Sequence, residues 1–331
     1  MRIAIVRLSA MGDIIQSMVV LELIKRSHPK TSIDWYVDKR FEGLLEGNSN
    51  IDQIHYLSFK NIKGLSAPLE LFKLYQKLQK INEYDLVIDF QGLIKSSIIS
   101  RFLKSKIRYG FDYRSCKEGV ASYLYSHRLS IPYSVNVISR YVALIEKALN
   151  VKIRTDELNN KESIFKYKKL KNQDYVVFIL GASFKSKIYS VEKFSEVAKK
   201  INKKIYALWH TSQERESAIE LKNFVKNVQP VNTKNLIELK ELIGNAKLVI
   251  GGDTGPTHLA WAMNIPSITI FGSTSMSRNF FKTKLNLGID SDLIINSKKI
   301  NKKESSINNI NPKQIINLVK ILEKRINTKF T

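Results

Sequence analysis

Short apolar runs bounded by polar turns alternate along the chain with stretches whose apolar residues recur every three or four positions. Arg2-Ile3-Ala4-Ile5-Val6-Arg7-Leu8 reads as a strand. Ile14, Ile15, Met18, Val19, Leu21, Leu23 and Ile24 then recur at helical spacing until Pro29 stops the run. Residues 33–37 and 51–57 read as strands, 69–81 as a helix with Leu and Phe on one face, 84–89 as a strand and 93–103 as a helix. Residues 161–173 are Lys-rich and hold little that would enter a core. After them the pattern restarts. A strand over 174–180 ends at Gly181. A helix over 191–201, a strand over 204–209, helices over 212–225 and 235–244, and strands over 247–252 and 267–272 follow. Pro312 opens a last helix carrying Ile315, Ile316, Leu318, Val319 and Leu322.

Apolar strands alternating with helices predict parallel sheets covered on both faces. The expected architecture is α/β, with two Rossmann-like doubly wound domains facing a cleft. The expected divisions are a domain over 1–160, a linker over 161–173, a second domain over 174–311 and a C-terminal helix over 312–331 that packs back on the N-terminal domain. Such sheets place ligands at the carboxyl ends of their strands.

The 331 residues are 44% hydrophobic, enough for two packed interiors rather than extended disorder. One cysteine, Cys116, excludes an internal disulfide and a cysteine-rich zinc site. Histidines 28, 55, 127, 210 and 258 show no paired ligand spacing, so no metal site is expected. The first apolar run is too short for a signal peptide and contains Arg7, and no apolar stretch approaches the length of a membrane span. These features lead to the expectation of a cytoplasmic protein. Against 30 Asp and Glu stand 54 Lys and Arg, a formal net charge of +24. The excess has two readings: a compositional habit, or an anionic partner such as nucleic acid, an anionic membrane or a phosphorylated substrate. Charge does not choose among them.

Four segments hold chemistry-bearing residues at strand ends. Ser9-Ala10-Met11-Gly12-Asp13 follows the first strand. Its small residues permit a tight turn, and Asp13 is either a helix cap or a carboxylate for acid–base work. The loop matches neither GxGxxG nor the P-loop. Gly251-Gly252-Asp253-Thr254-Gly255-Pro256-Thr257-His258 joins a strand to a helix. Its glycines and free N–H groups suit an anion, and His258 falls about one turn into the helix. Ser183-Phe184-Lys185-Ser186-Lys187 follows Gly181 and reads as a solvated basic loop or a phosphate contact. Glu214, after Trp209-His210, sits near a helix start, where a carboxylate also suits the helix dipole. More weakly, Asp89-Phe90-Gln91-Gly92 puts polar groups at a strand end. Lys60, Lys63 and Lys117 are among the basic residues of the first half.

Ser9-Ala10-Met11-Gly12-Asp13, Asp89-Phe90-Gln91-Gly92 and Asp253-Thr254-Gly255-Pro256-Thr257-His258, in that order along the chain, resemble the bacterial lipopolysaccharide heptosyltransferases of glycosyltransferase family 9. The Met-Gly-Asp loop is most similar to members that add the first heptose to the Kdo–lipid A inner core. The resemblance implies the glycosyltransferase B fold and inverting, metal-independent transfer of L-glycero-D-manno-heptose from ADP-heptose, with no cofactor. It implies Asp13 as catalytic base and Lys187 as a catalytic cation beside the donor. It implies donor binding by Ser183, Lys187, Glu214, Asp253, Thr254, Gly255 and His258. Acceptor binding is expected from Lys60, Lys63, Gln91 and Lys117. The implied partners are ADP-heptose, Kdo–lipid A and the anionic cytoplasmic face of the inner membrane, not nucleic acid. The alternatives are a heptosyltransferase of a later core acceptor and, on charge alone, a nucleic-acid-binding protein. Ile188-Tyr189-Ser190 departs from the family's His-Trp-Pro, Pro256-Thr257 from its Leu-Ser, and Lys234 stands where an apolar residue is usual.

Overall fold

A computed structural model describes residues 1–59, 62, 67–159, 161–171, 173–298, 300–328 and 330. The chain divides into two compact units, Met1–Asn160 and Lys161–Thr331.

The first unit comprises β1 (Arg2–Val6), α1 (Met11–Ser17), α2 (Val19–Ser27), β2 (Ser32–Asp38), β3 (Gln53–Leu57), α3 (Ala67–Gln79), β4 (Leu86–Asp89), α4 (Ile94–Phe102), β5 (Arg108–Phe111), β6 (His127–Leu129), α5 (Val137–Leu149) and α6 (Thr155–Asn159). Its strands form one parallel sheet in the order β3-β2-β1-β4-β5-β6. Ile3, Ala4, Ile5 and Val6 are all fully buried, as a central strand covered on both faces requires. Val6 pairs with Asp89, which brings the ends of β1 and β4 side by side.

The second unit comprises β7 (Tyr175–Ile179), α7 (Val191–Ala198), β8 (Lys204–Leu208), α8 (Ser212–Phe224), β9 (Val228–Val231), α9 (Leu236–Gly244), β10 (Leu248–Gly252), α10 (Gly255–Ala262), β11 (Ser267–Phe271), α11 (Met276–Asn279), β12 (Asn286–Asp290) and α12 (Pro312–Ile326). The sheet order is β12-β11-β10-β7-β8-β9, again parallel throughout. Counted within the unit, this is the winding of the first sheet read from the opposite edge. Both sheets therefore reverse direction beside their first strand, between β1 and β4 and between β7 and β10. Ligand sites belong at the carboxyl ends of strands at such switch points. The 9–13 and 89–92 segments lie at the first, and the 183–187 and 251–258 segments at the second.

Two expectations are corrected. Residues 161–173 are not a stretch without core. Lys161 is buried and donates to the Trp261 carbonyl at 2.9 Å and to Asn264 Oδ1 at 2.6 Å, while Phe165 is buried with the Lys240 ammonium 5.6 Å from its ring. Lysine charge is tolerated there because carbonyl oxygens receive it. The last helix belongs to the second unit. Ile315, Val319 and Leu322 of α12 enter the core of the second unit with Phe194, Val197 and Ile268.

Candidate functional site

In the first unit, β1 runs straight into the Ser9–Ala10 turn, whose peptide is cis. Ala10, not Asp13, is the N-cap of α1, and Asp13 is its third residue. Asp13 Oδ2 accepts from the Ala10 N–H at 3.4 Å and forms an ion pair with Arg7 Nη2 at 2.9 Å. Arg7 is buried, donates to the Phe90 carbonyl at 3.0 Å and lies 5.7 Å from the Tyr141 ring centroid. Burial opposes its charge, but Asp13, Tyr141 and Asp89 outweigh burial and raise its pKa. Asp89 is fully buried and is itself raised by burial, against hydrogen bonds from Tyr125, Ser96 and the Gln91 and Gly92 amides. Gln91 Oε1 accepts from the Leu8 N–H at 2.8 Å and the Ser9 N–H at 3.3 Å, and its Nε2 donates to Ser9 Oγ at 3.3 Å. Its amide thus binds the β4 end to the β1 loop. Lys117 lies exposed between β5 and β6. Lys60 and Lys63 lie outside the described residues.

In the second unit, the turn at Lys185–Lys187 folds over the end of β10. A Cβ at Gly252 would meet the Lys187 carbonyl at 2.5 Å, so only glycine allows this approach. Lys187 Nζ donates to both the carbonyl and Oδ2 of Asp253, each at 2.9 Å. Asp253 Oδ1 meets His258 Nε2 at 2.8 Å, and Oδ2 also accepts from Thr274 Oγ1 at 2.7 Å and Asn279 Nδ2 at 3.3 Å. Burial would raise the Asp253 pKa. Lys187, His258 and Thr274 outweigh it and hold the carboxyl far below the usual range, so the group is an anion. Thr254 is the N-cap of α10 without a side-chain cap bond, and Pro256 sits at the helix start. First-turn N–H groups and the dipole at this end suit an anion.

Glu214 closes the capping box of α8: its Oε2 accepts from the His210 N–H at 2.7 Å and the Thr211 N–H at 3.2 Å, and its own N–H donates to Thr211 Oγ1 at 3.3 Å. The carboxylate lies over Gly181, where a Cβ would come within 2.0 Å of Oε1. Ser183 is exposed. Among the described residues, no group of three or more His, Cys, Asp or Glu is placed to hold a metal ion, and no helix is long and apolar enough to cross a membrane.

Sequence reasoning missed three residues. Arg7 carried a signal, a cation at the end of a buried apolar run. Thr274 and Asn279 carried none, because they reach Asp253 from 21 and 26 positions downstream.

A family model described as glycosyltransferase family 9 (heptosyltransferase) matches residues 71–311. Lipopolysaccharide heptosyltransferase 1 of Campylobacter coli is 40% identical over 348 aligned positions, covering 97% of this chain and 99% of that protein. Two solved structures of the Escherichia coli heptosyltransferase WaaC, one with ADP and one with ADP-2-deoxy-2-fluoro heptose, superpose with TM-scores of 0.78 and 0.77 at 21% identity; each comparison covers 97% of this chain and 99% of that one. At that identity the likeness shows the fold, two Rossmann-like domains of the glycosyltransferase B kind. With that fold, its motifs at both switch points and the family match over more than half its length, the chain belongs to glycosyltransferase family 9, the heptosyltransferases.

Proposed function

We propose that this chain transfers L-glycero-D-manno-heptose from ADP-heptose to the Kdo residue of Kdo–lipid A, with inversion at the anomeric carbon. The observation that carries this reading is the Lys187–Asp253–His258 cluster beside the N-terminus of α10. It holds the Lys187 ammonium in place beside the positive end of the α10 dipole, a seat for a leaving diphosphate. The Campylobacter coli relative, similar from end to end and named lipopolysaccharide heptosyltransferase 1, supports the acceptor class. The solved relative that holds an ADP-heptose analogue supports the donor.

In the proposed reaction, an acceptor hydroxyl oxygen bonds to the anomeric carbon as the bond to the diphosphate breaks. Asp13 takes the hydroxyl proton. Lys187 and the N–H groups at the start of α10, at Thr254 and Gly255, stabilise the charge that collects on ADP. Asp253 is a positioning residue, since both its oxygens are engaged by protein groups. His258 shares that network. Glu214 and Ser183 line the nucleotide side. Gln91 shapes the Asp13 loop, and Lys117, with Lys60 and Lys63, meets the anionic acceptor. The protein works at the cytoplasmic face of the inner membrane, with no cofactor.

The test is a transfer assay with ADP-heptose and Kdo–lipid A, read by mass spectrometry, with and without a chelator. A product heavier by one heptose, formed equally with the chelator present, is expected. Transfer only onto an already heptosylated acceptor would assign a later step. Activity abolished by chelation and restored by a divalent ion would overturn the role given to Lys187.

A further inference from the structure

Four large apolar side chains of the first unit are exposed: Ile94 at 42%, Tyr113 at 56%, Val120 at 57% and Tyr123 at 67%. They form a seated ridge rather than isolated residues. The Tyr113 and Tyr123 rings lie 6.2 Å apart. Tyr113 packs on Gly119, where an added Cβ would come within 2.9 Å of its ring. The short 3-10 turn Gly119–Leu124 carries Val120 and Tyr123, and Glu118 before it accepts the Ile94 N–H at 2.8 Å, fastening the turn to the start of α4. Contiguous exposed apolar surface of this kind marks an interaction site.

Two further observations say what covers it. Cations fringe the ridge: the Arg128 guanidinium lies 5.9 Å from the Tyr123 ring centroid, and Lys117 is exposed one residue from Glu118. The chain as a whole carries +24. Tyrosines beside cations suit the headgroup level of a bilayer, where the ring is half apolar and half wet, and anionic lipids attract the lysines and arginines. The segment that carries the ridge is tied to the Asp13 loop through the interior. Gly92 packs on Cys116, at 3.2 Å for an added Cβ, and Gln91 next to it holds Ser9.

We propose that Ile94, Tyr113, Val120 and Tyr123 dock the first unit on an anionic lipid bilayer, so that the Asp13 side of the protein meets an acceptor still anchored in that bilayer. The purpose of the contact rests on the proposed function, but its test does not.

The full-length protein is incubated with phosphatidylcholine vesicles with and without phosphatidylglycerol, in the absence of substrate. The exposed double variant Val120→Asp/Tyr123→Asp should keep the wild-type unfolding temperature and lose binding to the phosphatidylglycerol vesicles by about tenfold or more. A Tyr123→Trp variant should gain emission, over wild type, that brominated lipids quench. Wild-type binding by the double variant, together with no quenching of the indole introduced by Tyr123→Trp, would overturn the proposal. So would absence of wild-type binding to the phosphatidylglycerol vesicles, and a dimer that the double variant dissolves would then assign the ridge to a second copy. If the proposed function alone is wrong, lipid binding persists while heptose transfer fails. If the ridge alone is wrong, transfer to deacylated acceptor and to vesicle-borne acceptor both survive the double substitution.

Discussion

Arg7 and Asp13 form an ion pair of 2.9 Å in which the guanidinium side chain is 7% exposed and the carboxylate 40%. The cation is fixed from behind by the Phe90 carbonyl, so it aims Asp13 rather than moving with it. Both described contacts of Asp13 fall on Oδ2, so in the proposed reaction Oδ1 is the oxygen that meets the acceptor hydroxyl. Arg7→Lys keeps the charge but loses the fork that reaches Phe90 and Asp13 together. Turnover should fall by roughly tenfold to a hundredfold, as misplacement of a reacting group costs, with donor affinity unchanged. Steady-state kinetics beside calorimetric donor titration checks this; an equal fall in donor affinity would show that Arg7 serves the donor instead.

Gly181→Ala would drive a methyl into Glu214 and break the α8 capping box. The expected cost is about 1 kcal/mol of stability, the usual worth of a cap, with weaker nucleotide binding. In a Glu214→Ala background the same substitution should cost much less. Urea unfolding of the two single variants and the double variant measures the coupling, and full additivity would remove Glu214 from the contact.

How legible this molecule was depended on how local each cause is. Strands β1, β4, β7 and β10 announce themselves as buried apolar runs, and the motifs at their ends were visible as residue types. β5 and β6, Arg108–Phe111 and His127–Leu129, carry no such run and exist because a neighbouring edge pairs with them. β9 holds Pro230, tolerated on an edge strand. The single helix expected over 14–24 breaks at Met18, beside Ser17, whose hydroxyl donates back to the Ile14 carbonyl at 2.8 Å. The apolar stripe of α12 was plain, but a stripe does not name its partner. In the site, the motif implied Asp253 as a donor contact. That both its oxygens are engaged within the protein was invisible, because Thr274 comes from the connection after β11 and Asn279 from the end of α11.

Two buried carboxylates set the acid limit of the fold. Asp34 accepts from Arg2 and Tyr84, each at 2.6 Å, and meets His55 at 3.2 Å. Burial alone would raise its pKa, but His55, Tyr84 and Arg2 outweigh burial and lower it. Asp253 is lowered in the same way by Lys187 and His258 against burial. A folded-state pKa below the unfolded value gives stability that is fully present above roughly pH 4, the unfolded carboxylate value, and is lost as pH falls through the folded values. Asp34→Asn should therefore cost about 3 kcal/mol at neutral pH, in the range for breaking a buried pair, and flatten the decline below pH 4. Urea unfolding across that range checks it; an unchanged slope would mean that Asp34 does not titrate with unfolding.

The most direct test of the assignment of Asp13 as the base, with the Lys187–Asp253 cluster serving the donor, is single-turnover heptose transfer by Asp13→Asn beside its affinity for ADP-heptose. Asparagine keeps the size of the side chain and removes its basicity. Transfer should slow by about 10²–10⁴-fold, the worth of general base catalysis, while donor affinity stays at the wild-type value. A folded Asp13→Asn protein that transfers heptose at near wild-type rate would contradict the account.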